Sequence, residues 1–263
     1  MARRLYQSRT RYGSARRSLW LPLILLLALL VLGAAYLGRD RLAFVWQPVA
    51  EMIEPKTTVE EVLRDLGPSA MARLSPYLQA AGFGAALPER LRFVGLKEER
   101  LLEVWGEDGT GHWRPIRRYP VLAASGGPGP KLREGDGQVP EGRYPITLLN
   151  PNSAYHLSLR VGYPSPSDQA VAHRDGRDAL GGDIMLHGGA RSVGCLALGD
   201  PAIEEIFVLT ALVGITKTDI LLVPYDLRHR PGSDGRAWVQ ERYDSLRQAL
   251  LALPAGLWPE PLL

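Results

Sequence analysis

The 263-residue chain (28.9 kDa) is 46% hydrophobic and 22% charged, which supports one buried core plus a tail and excludes collagen-like, coiled-coil and wholly disordered readings. Its formal charge of +3 belongs to the N-terminus: residues 1–17 hold six Arg and no acid, and the rest carries 25 basic against 28 acidic groups. That balance removes most of the support for a nucleic-acid-binding face on the globular part.

The basic tail, residues 1–18, runs into a charge-free stretch from Leu19 to Leu37, long enough as a helix to span a bilayer core. Pro22 falls in its first turn, where a helix tolerates it. The sequence therefore predicts a transmembrane signal-anchor over residues 19–38. Arg residues before such a span stay in the cytoplasm, so the remainder is expected outside it. This describes a single-pass inner-membrane protein with its globular domain in the periplasm. The small residues of "LGAAYLG" leave a cleaved signal peptide open, although the stretch is long for one. Residues 39–89 read as a juxtamembrane linker with a short helical segment. Thr57 or Thr58 with Glu60 or Glu61 makes a capping box for a helix over Val59–Leu66, broken by Gly67-Pro68, and a second helix spans Ser69–Ala81. No chemistry is evident there, and a membrane-proximal spacer is expected.

From Arg90 the texture changes to strands, and residues 90–263 form the predicted globular domain. A hairpin runs through Phe93-Val94 and Leu101–Trp105. A third strand follows in "WRPIRRYPVLAAS" and a fourth in "RYPITLLN", with "PNS" as the turn after it. Tyr155–Val161 alternates strictly, with Tyr155, Leu157, Leu159 and Val161 on one face and His156, Ser158 and Arg160 on the other. "YPSPSDQAVAHRDGRDALGG" reads as a long polar loop. A short strand over Asp183–His187 precedes a Gly-rich loop. Asp200 then caps a helix that has Pro201 at its first position. Thr218–Val223 reads as a buried strand and Tyr243–Leu253 as a closing helix. The fold class is a β-rich mixed α/β domain.

The chemistry concentrates in Ile184–Cys195. A strand delivers His187, a Gly-rich loop follows, and the chain's one cysteine, Cys195, comes eight residues later. A single cysteine in an exported chain cannot form an internal disulfide. A thiol becomes a nucleophile near neutral pH with a base beside it, and imidazole is the usual partner. Gly194 permits a tight turn, so the amides around Cys195 can point at a developing oxyanion. A zinc site on Asp183, His187 and Cys195 lacks the paired spacing of metal ligands, and no metal or cofactor is expected. A papain-like protease would need its Cys before its His.

His187-Gly188 followed by Ser192-Val193-Gly194-Cys195 resembles the His-Gly … Ser-x-Gly-Cys signature of the YkuD-domain L,D-transpeptidases. "GPKLREGDGQVPEGRYPI", "LNPNSAYHLSLRVGYP" and "MLHGGARSVGCLAL" resemble its compact YafK-like murein subgroup, and the likeness covers roughly Arg90 to Tyr225. The short His-to-Cys interval and Ala197, where the broad family usually has Arg, both fit that subgroup. The resemblance implies a β-rich YkuD-like fold and acyl transfer on peptidoglycan stem peptides, with Cys195 as nucleophile and His187 as general base and acid. It implies that the Gly188 carbonyl orients the imidazole and that the Cys195 amide, helped by that of Gly194, holds the oxyanion. Ser192, Arg191, Tyr155 and His156 are the candidate substrate contacts. The acceptor is an amine, as in a second stem or a lipoprotein lysine, or it is water, as in a hydrolase that releases D-Ala or a wall-linked lipoprotein. A wall-binding module without turnover is the alternative from another class. The topology has its own test. A C-terminal reporter active only outside the cytoplasm should be active on the full chain, and activity of a cytoplasm-restricted reporter instead would overturn the orientation.

Overall fold

The computed structural model describes residues 22, 24–30, 56–84, 86–254 and 258. Pro22 and residues 24–30 are helical, and no described helix is long and apolar enough to cross a membrane. The basic tail 1–18, most of the expected anchor 19–38 and the linker up to Pro55 lie outside the described residues.

Lys56 onwards forms one unit, beginning with helices α1 (Val59–Asp65) and α2 (Gly67–Ala80). Thr58 and Glu61 complete the capping box: the Glu61 amide donates to the Thr58 hydroxyl and the Thr58 amide to the Glu61 carboxylate. Gly67-Pro68 opens α2 instead of interrupting it, because a proline in the first turn forfeits no helical hydrogen bond. Strands β1 (Arg90–Leu96), β2 (Leu101–Glu107) and β3 (Trp113–Pro120) form an antiparallel meander. After them come β4 (Ala123–Ala124), β5 (Gly142–Ser153) and β6 (His156–Val161), helix α3 (Pro166–Arg174), and strands β7 (Met185–His187) and β8 (Leu196–Ala197). Helix α4 (Asp200–Val213), strand β9 (Thr218–Val223) and helix α5 (Ala237–Leu251) complete the set.

The nine strands make one mixed sheet in the order β3-β2-β1-β9-β5-β6-β7-β8-β4. Strand β5 holds it together: Gly142–Pro145 pair with β9, and Ile146 onwards pairs with β6. Alternation along β9 covers both faces. Ile220 and Leu222 pack with α1, α2 and α4, whereas Leu221 and Val223 pack with Val239, Tyr243, Leu246 and Leu250 of α5. The two first helices are therefore part of the core and not a spacer, with Val62, Leu74 and Leu78 in one cluster with Phe93, Ile206 and Phe207. A buried carboxylate reinforces them. Glu205 on α4 accepts from Arg73 of α2 (2.7 Å), Arg117 of β3 (2.5 Å) and the Tyr119 hydroxyl (2.7 Å), which leaves neither charge sign unpaired.

Five further expectations change. The expected polar loop after Gly162 contains α3, whose Ser165 and Asp168 form a capping box with Pro166 at the first helical position. Strand β5 runs through Pro151-Asn152 to Ser153, its register shifts absorbing the proline, so the turn falls at Ala154-Tyr155. That turn takes Tyr155 out of the alternation: Leu157, Leu159 and Val161 are buried, whereas Tyr155 is 49% exposed. Finally, Asp200 is not the cap of α4. Gly199 occupies that position with φ +82°, and the closing helix α5 starts at Ala237, six residues before the expected Tyr243.

If α1 and α2 belong to the core, Leu74→Ala should destabilise the domain by about 2 to 5 kcal/mol, the usual cost of a buried leucine cavity. Denaturant unfolding of the full chain measures it, and an unchanged midpoint would return these helices to the role of a linker.

Candidate active site

Strand β7 pairs in parallel with β8, setting Leu186 against Leu196 and His187 against Ala197. Cys195 lies two residues before Ala197, so its side chain and that of His187 fall on one face of the sheet in diagonal positions. Eight residues connect the two strands, a tight path for a parallel pair, and Gly189 (φ +65°) and Gly194 (φ +78°) take the left-handed conformations that it needs.

His187 is 3% exposed, and its Nδ1 lies 2.7 Å from the Gly188 carbonyl oxygen. A carbonyl only accepts, so Nδ1 carries the proton and Nε2 is the basic nitrogen. Gly188 is the orienting residue expected from the sequence, and it has no room for a side chain. A Cβ there would lie 2.5 Å from Asp200 Oδ1 and 2.7 Å from the Tyr155 carbonyl. Asp200 instead accepts from the Gly189 amide at 2.8 Å, so the residue expected as a helix cap pins the loop after the histidine.

The Cys195 sulfur receives the Met185 amide (3.3 Å) and donates to the Asp183 carbonyl (3.5 Å). Burial pushes the thiol above its ordinary value; the Met185 amide opposes this, Asp183 adds to it, and Lys131 pulls it down. Burial likewise holds the His187 imidazole below its ordinary value, with the Gly188 bond acting against it. Both shifts favour the neutral forms.

The amides expected to form the oxyanion hole are engaged. Gly194 donates to Ser125 Oγ at 2.5 Å, and Ser125 in turn donates to the Gly137 carbonyl at 2.7 Å. The Gly194 amide is therefore a structural tie in this state and not an open oxyanion donor. The Cys195 amide donates to Ser192 Oγ at 3.1 Å, which makes Ser192 a loop-shaping residue. Arg191 is exposed in the loop, and Val193 beside it is 84% exposed. Tyr155 stacks on His187 with ring centroids 4.6 Å apart and planes 33° apart. His156 turns to α4, its Nε2 lying 3.0 Å from Glu204. Cavities of about 710 and 450 Å³ lie elsewhere and are lined by neither His187 nor Cys195.

Sequence reasoning missed Ser125, the Met185 amide and the Asp183 carbonyl. The first lies 70 residues before Cys195 with no local pattern to mark it, and the other two are backbone groups that any residue would supply. The neutral pair has a measurable consequence. Alkylation of Cys195 by iodoacetamide should rise with pH through a midpoint above that of an ordinary cysteine, since the folded protein favours the protonated thiol. A midpoint near neutrality would show a thiolate–imidazolium pair at rest instead.

Residues 90–220 match the family model of the YkuD L,D-transpeptidase catalytic domain. The chain is 32% identical over 165 residues to YafK of Escherichia coli strain K12, itself only provisionally named an L,D-transpeptidase, and equally to YafK of E. coli O157:H7. The match covers 58% of this chain and 64% of each relative, so the chain spans a little under two thirds of the length of these curated relatives. Among solved structures, the helical cell shape determining protein Pgp2 from Campylobacter jejuni is similar at 24% identity and a TM-score of 0.41, over 51% of this chain and 47% of that one. Through residues 90–220, the stretch that holds both His187 and Cys195, the chain belongs to the YkuD family of L,D-transpeptidase catalytic domains.

Proposed function

We propose that the protein is a cysteine acyl transferase of the L,D-transpeptidase type that works on peptidoglycan stem peptides from an inner-membrane anchor, with its catalytic domain in the periplasm. The observation that carries the reading is the His187 imidazole, with its Nδ1 proton held by the Gly188 carbonyl, on a strand paired with the one that directly follows Cys195. The charge-free run Leu19–Leu37 behind six Arg supports the anchor and its orientation.

In this mechanism Cys195 attacks the carbonyl of the bond between the third stem residue and D-Ala. Because both shifts favour the neutral forms, His187 Nε2 takes the thiol proton as the sulfur–carbon bond forms. The tetrahedral oxyanion takes the Cys195 amide, which Ser192 Oγ gives up as the loop adjusts. Collapse breaks the carbon–nitrogen bond, His187 returns the proton to the departing amine, and a thioester remains. An acceptor amine then attacks the thioester, loses its proton to His187 and restores the thiol. Water in the same place gives hydrolysis. One observation favours that second outcome: the eight-residue loop with its exposed Val193 leaves the thioester open to solvent.

Incubation of the full protein with disaccharide-tetrapeptides, and then with lipoprotein-linked muropeptides, tests the reading by product mass. Cross-linked dimers establish transfer; tripeptide and released lipoprotein alone establish hydrolysis. Cys195→Ser and His187→Ala should each lower turnover by roughly a thousandfold or more while the fold persists. Wild-type protein that binds muropeptides but converts none of them would leave a wall-binding module.

A further inference from the structure

We infer that Tyr155 is a positioning residue for His187, and that the helical segment 56–84 holds it in place through the tip of the β5–β6 hairpin. The inference rests on the acyl-transfer reading of the site. The sequence offers Tyr155 and His156 as substrate contacts, but the geometry gives them work within the protein.

Tyr155 occupies the two-residue turn between Ser153 and His156, and its amide donates to Ser153 Oγ at 3.2 Å. Its ring covers the imidazole at 4.6 Å, and its carbonyl abuts Gly188, so the turn contacts both the base and the residue that orients it. Half of the tyrosine surface remains exposed, which makes the ring a cover between His187 and water and not part of the core. A hairpin tip has little packing of its own and needs anchors. Here there are two. Asn152 exchanges a pair of hydrogen bonds with the backbone of Thr57, receiving its amide at 2.9 Å and donating to its carbonyl at 2.8 Å. On the other side His156 meets Glu204 at 3.0 Å, and Glu204 also receives Arg73 of α2 at 2.8 Å. Thr57 thus holds one side of the tip directly, and Arg73 supports the other side through Glu204.

Burial and the Gly188 hydrogen bond set the imidazole, while Asp183 and Lys131 act on Cys195. Asp200 of α4 is engaged by the Gly189 amide, the His156–Glu204 pair lies across the hairpin and α4, and Cys195 precedes β8. The register partner on β6, Ser158, is uncharged. Uncovering the ring lets water reach the imidazole, which favours the imidazolium. The expected direction is therefore upwards, from a value depressed by burial towards the ordinary one.

The test uses the full-length protein and two readouts. One is the titration of the His187 imidazole by NMR on histidine-labelled protein, assigned by loss of the signal in His187→Gln. The other is the pH profile of Cys195 acylation by a carbapenem, read by intact mass. Tyr155→Ala should raise the His187 midpoint by about half to one pH unit and carry the acid limb of acylation with it. Tyr155→Phe, which keeps the ring, should retain the wild-type midpoint. Asn152→Ala should shift it in the same direction by less. Glu204→Ala separates the causes: loss of a negative charge alone would lower the midpoint, whereas release of the tip raises it. Wild-type titration in Tyr155→Ala, or a shift in Tyr155→Phe as large as in Tyr155→Ala, overturns the inference. A shifted imidazole in a protein whose Cys195 never acylates would uphold the positioning role and overturn the acyl-transfer reading.

Discussion

The site depends on a parallel pairing of two very short strands. Strands β7 and β8 contribute three and two residues, too few hydrogen bonds to define a register unaided. A slip by one residue would send Cys195 to the opposite face from His187. The surrounding loops supply what the ladder lacks. Leu198 donates to the His187 carbonyl (2.9 Å), Gly199 to the Gly189 carbonyl (3.0 Å), and Leu122 to the Ala197 carbonyl (2.8 Å). Asp200 and Ser125 add side-chain ties at Gly189 and Gly194. Each is an ordinary hydrogen bond, but together they bracket the connecting loop at both ends, and a register shift would break all of them at once.

The loop on the far side of the cysteine is held by a buried ion pair. Lys97 on the turn after β1 lies 2.9 Å from Glu141 and also donates to the carbonyls of Gly129 (2.8 Å) and Val139 (2.9 Å). Glu141 completes its own bonding with the Gly129 amide and the Tyr243 hydroxyl of α5. Such a pair contributes little net stability, because desolvation offsets the attraction, but breaking one partner is costly. Its effect is on shape: it fixes both ends of the segment 129–141, whose Gly137 carbonyl accepts from Ser125 and so supports the Gly194 tie. Burial at α5 is thereby connected to the loop that carries Cys195.

Much of this was legible in the sequence, and what was not has physical reasons. The strand Thr218–Val223 reads correctly because its apolar run Ile220–Val223, preceded by Asp219 and ended by Pro224, fits a strand buried on both faces. The contact of His187 Nδ1 with the Gly188 carbonyl was legible because adjacent residues carry it in a local pattern, and the structure adds that Gly188 has no room for a side chain. Helix α3 was lost to its polarity, although Ser165-Pro166-Ser167-Asp168 carries the capping signal that identifies it. Asp200 was read as a cap because Asp before Pro at a helix start usually is one; its carboxylate finds the Gly189 amide instead, a contact set by tertiary structure. Tyr155 followed the alternation on paper, and a two-residue turn removed it.

The tightness of the resting site bears on its chemistry. With the Cys195 and Gly194 amides donating to serine hydroxyls and the thiol held between Met185 and Asp183, each of these three groups already has a partner. A buried donor left waiting for an oxyanion would cost roughly 1 to 3 kcal/mol in the empty protein, and the serine contacts avoid that. A substrate must therefore exchange these contacts, not just fill an empty hole. Ser192 is the partner suited to exchange, since its hydroxyl sits in the same short loop as the cysteine and needs only a rotamer change. Ser125 is less suited, because its hydroxyl is also committed to Gly137. The two serines thus divide the loop into a side that yields and a side that stays, and the amide expected to meet the oxyanion lies on the yielding side.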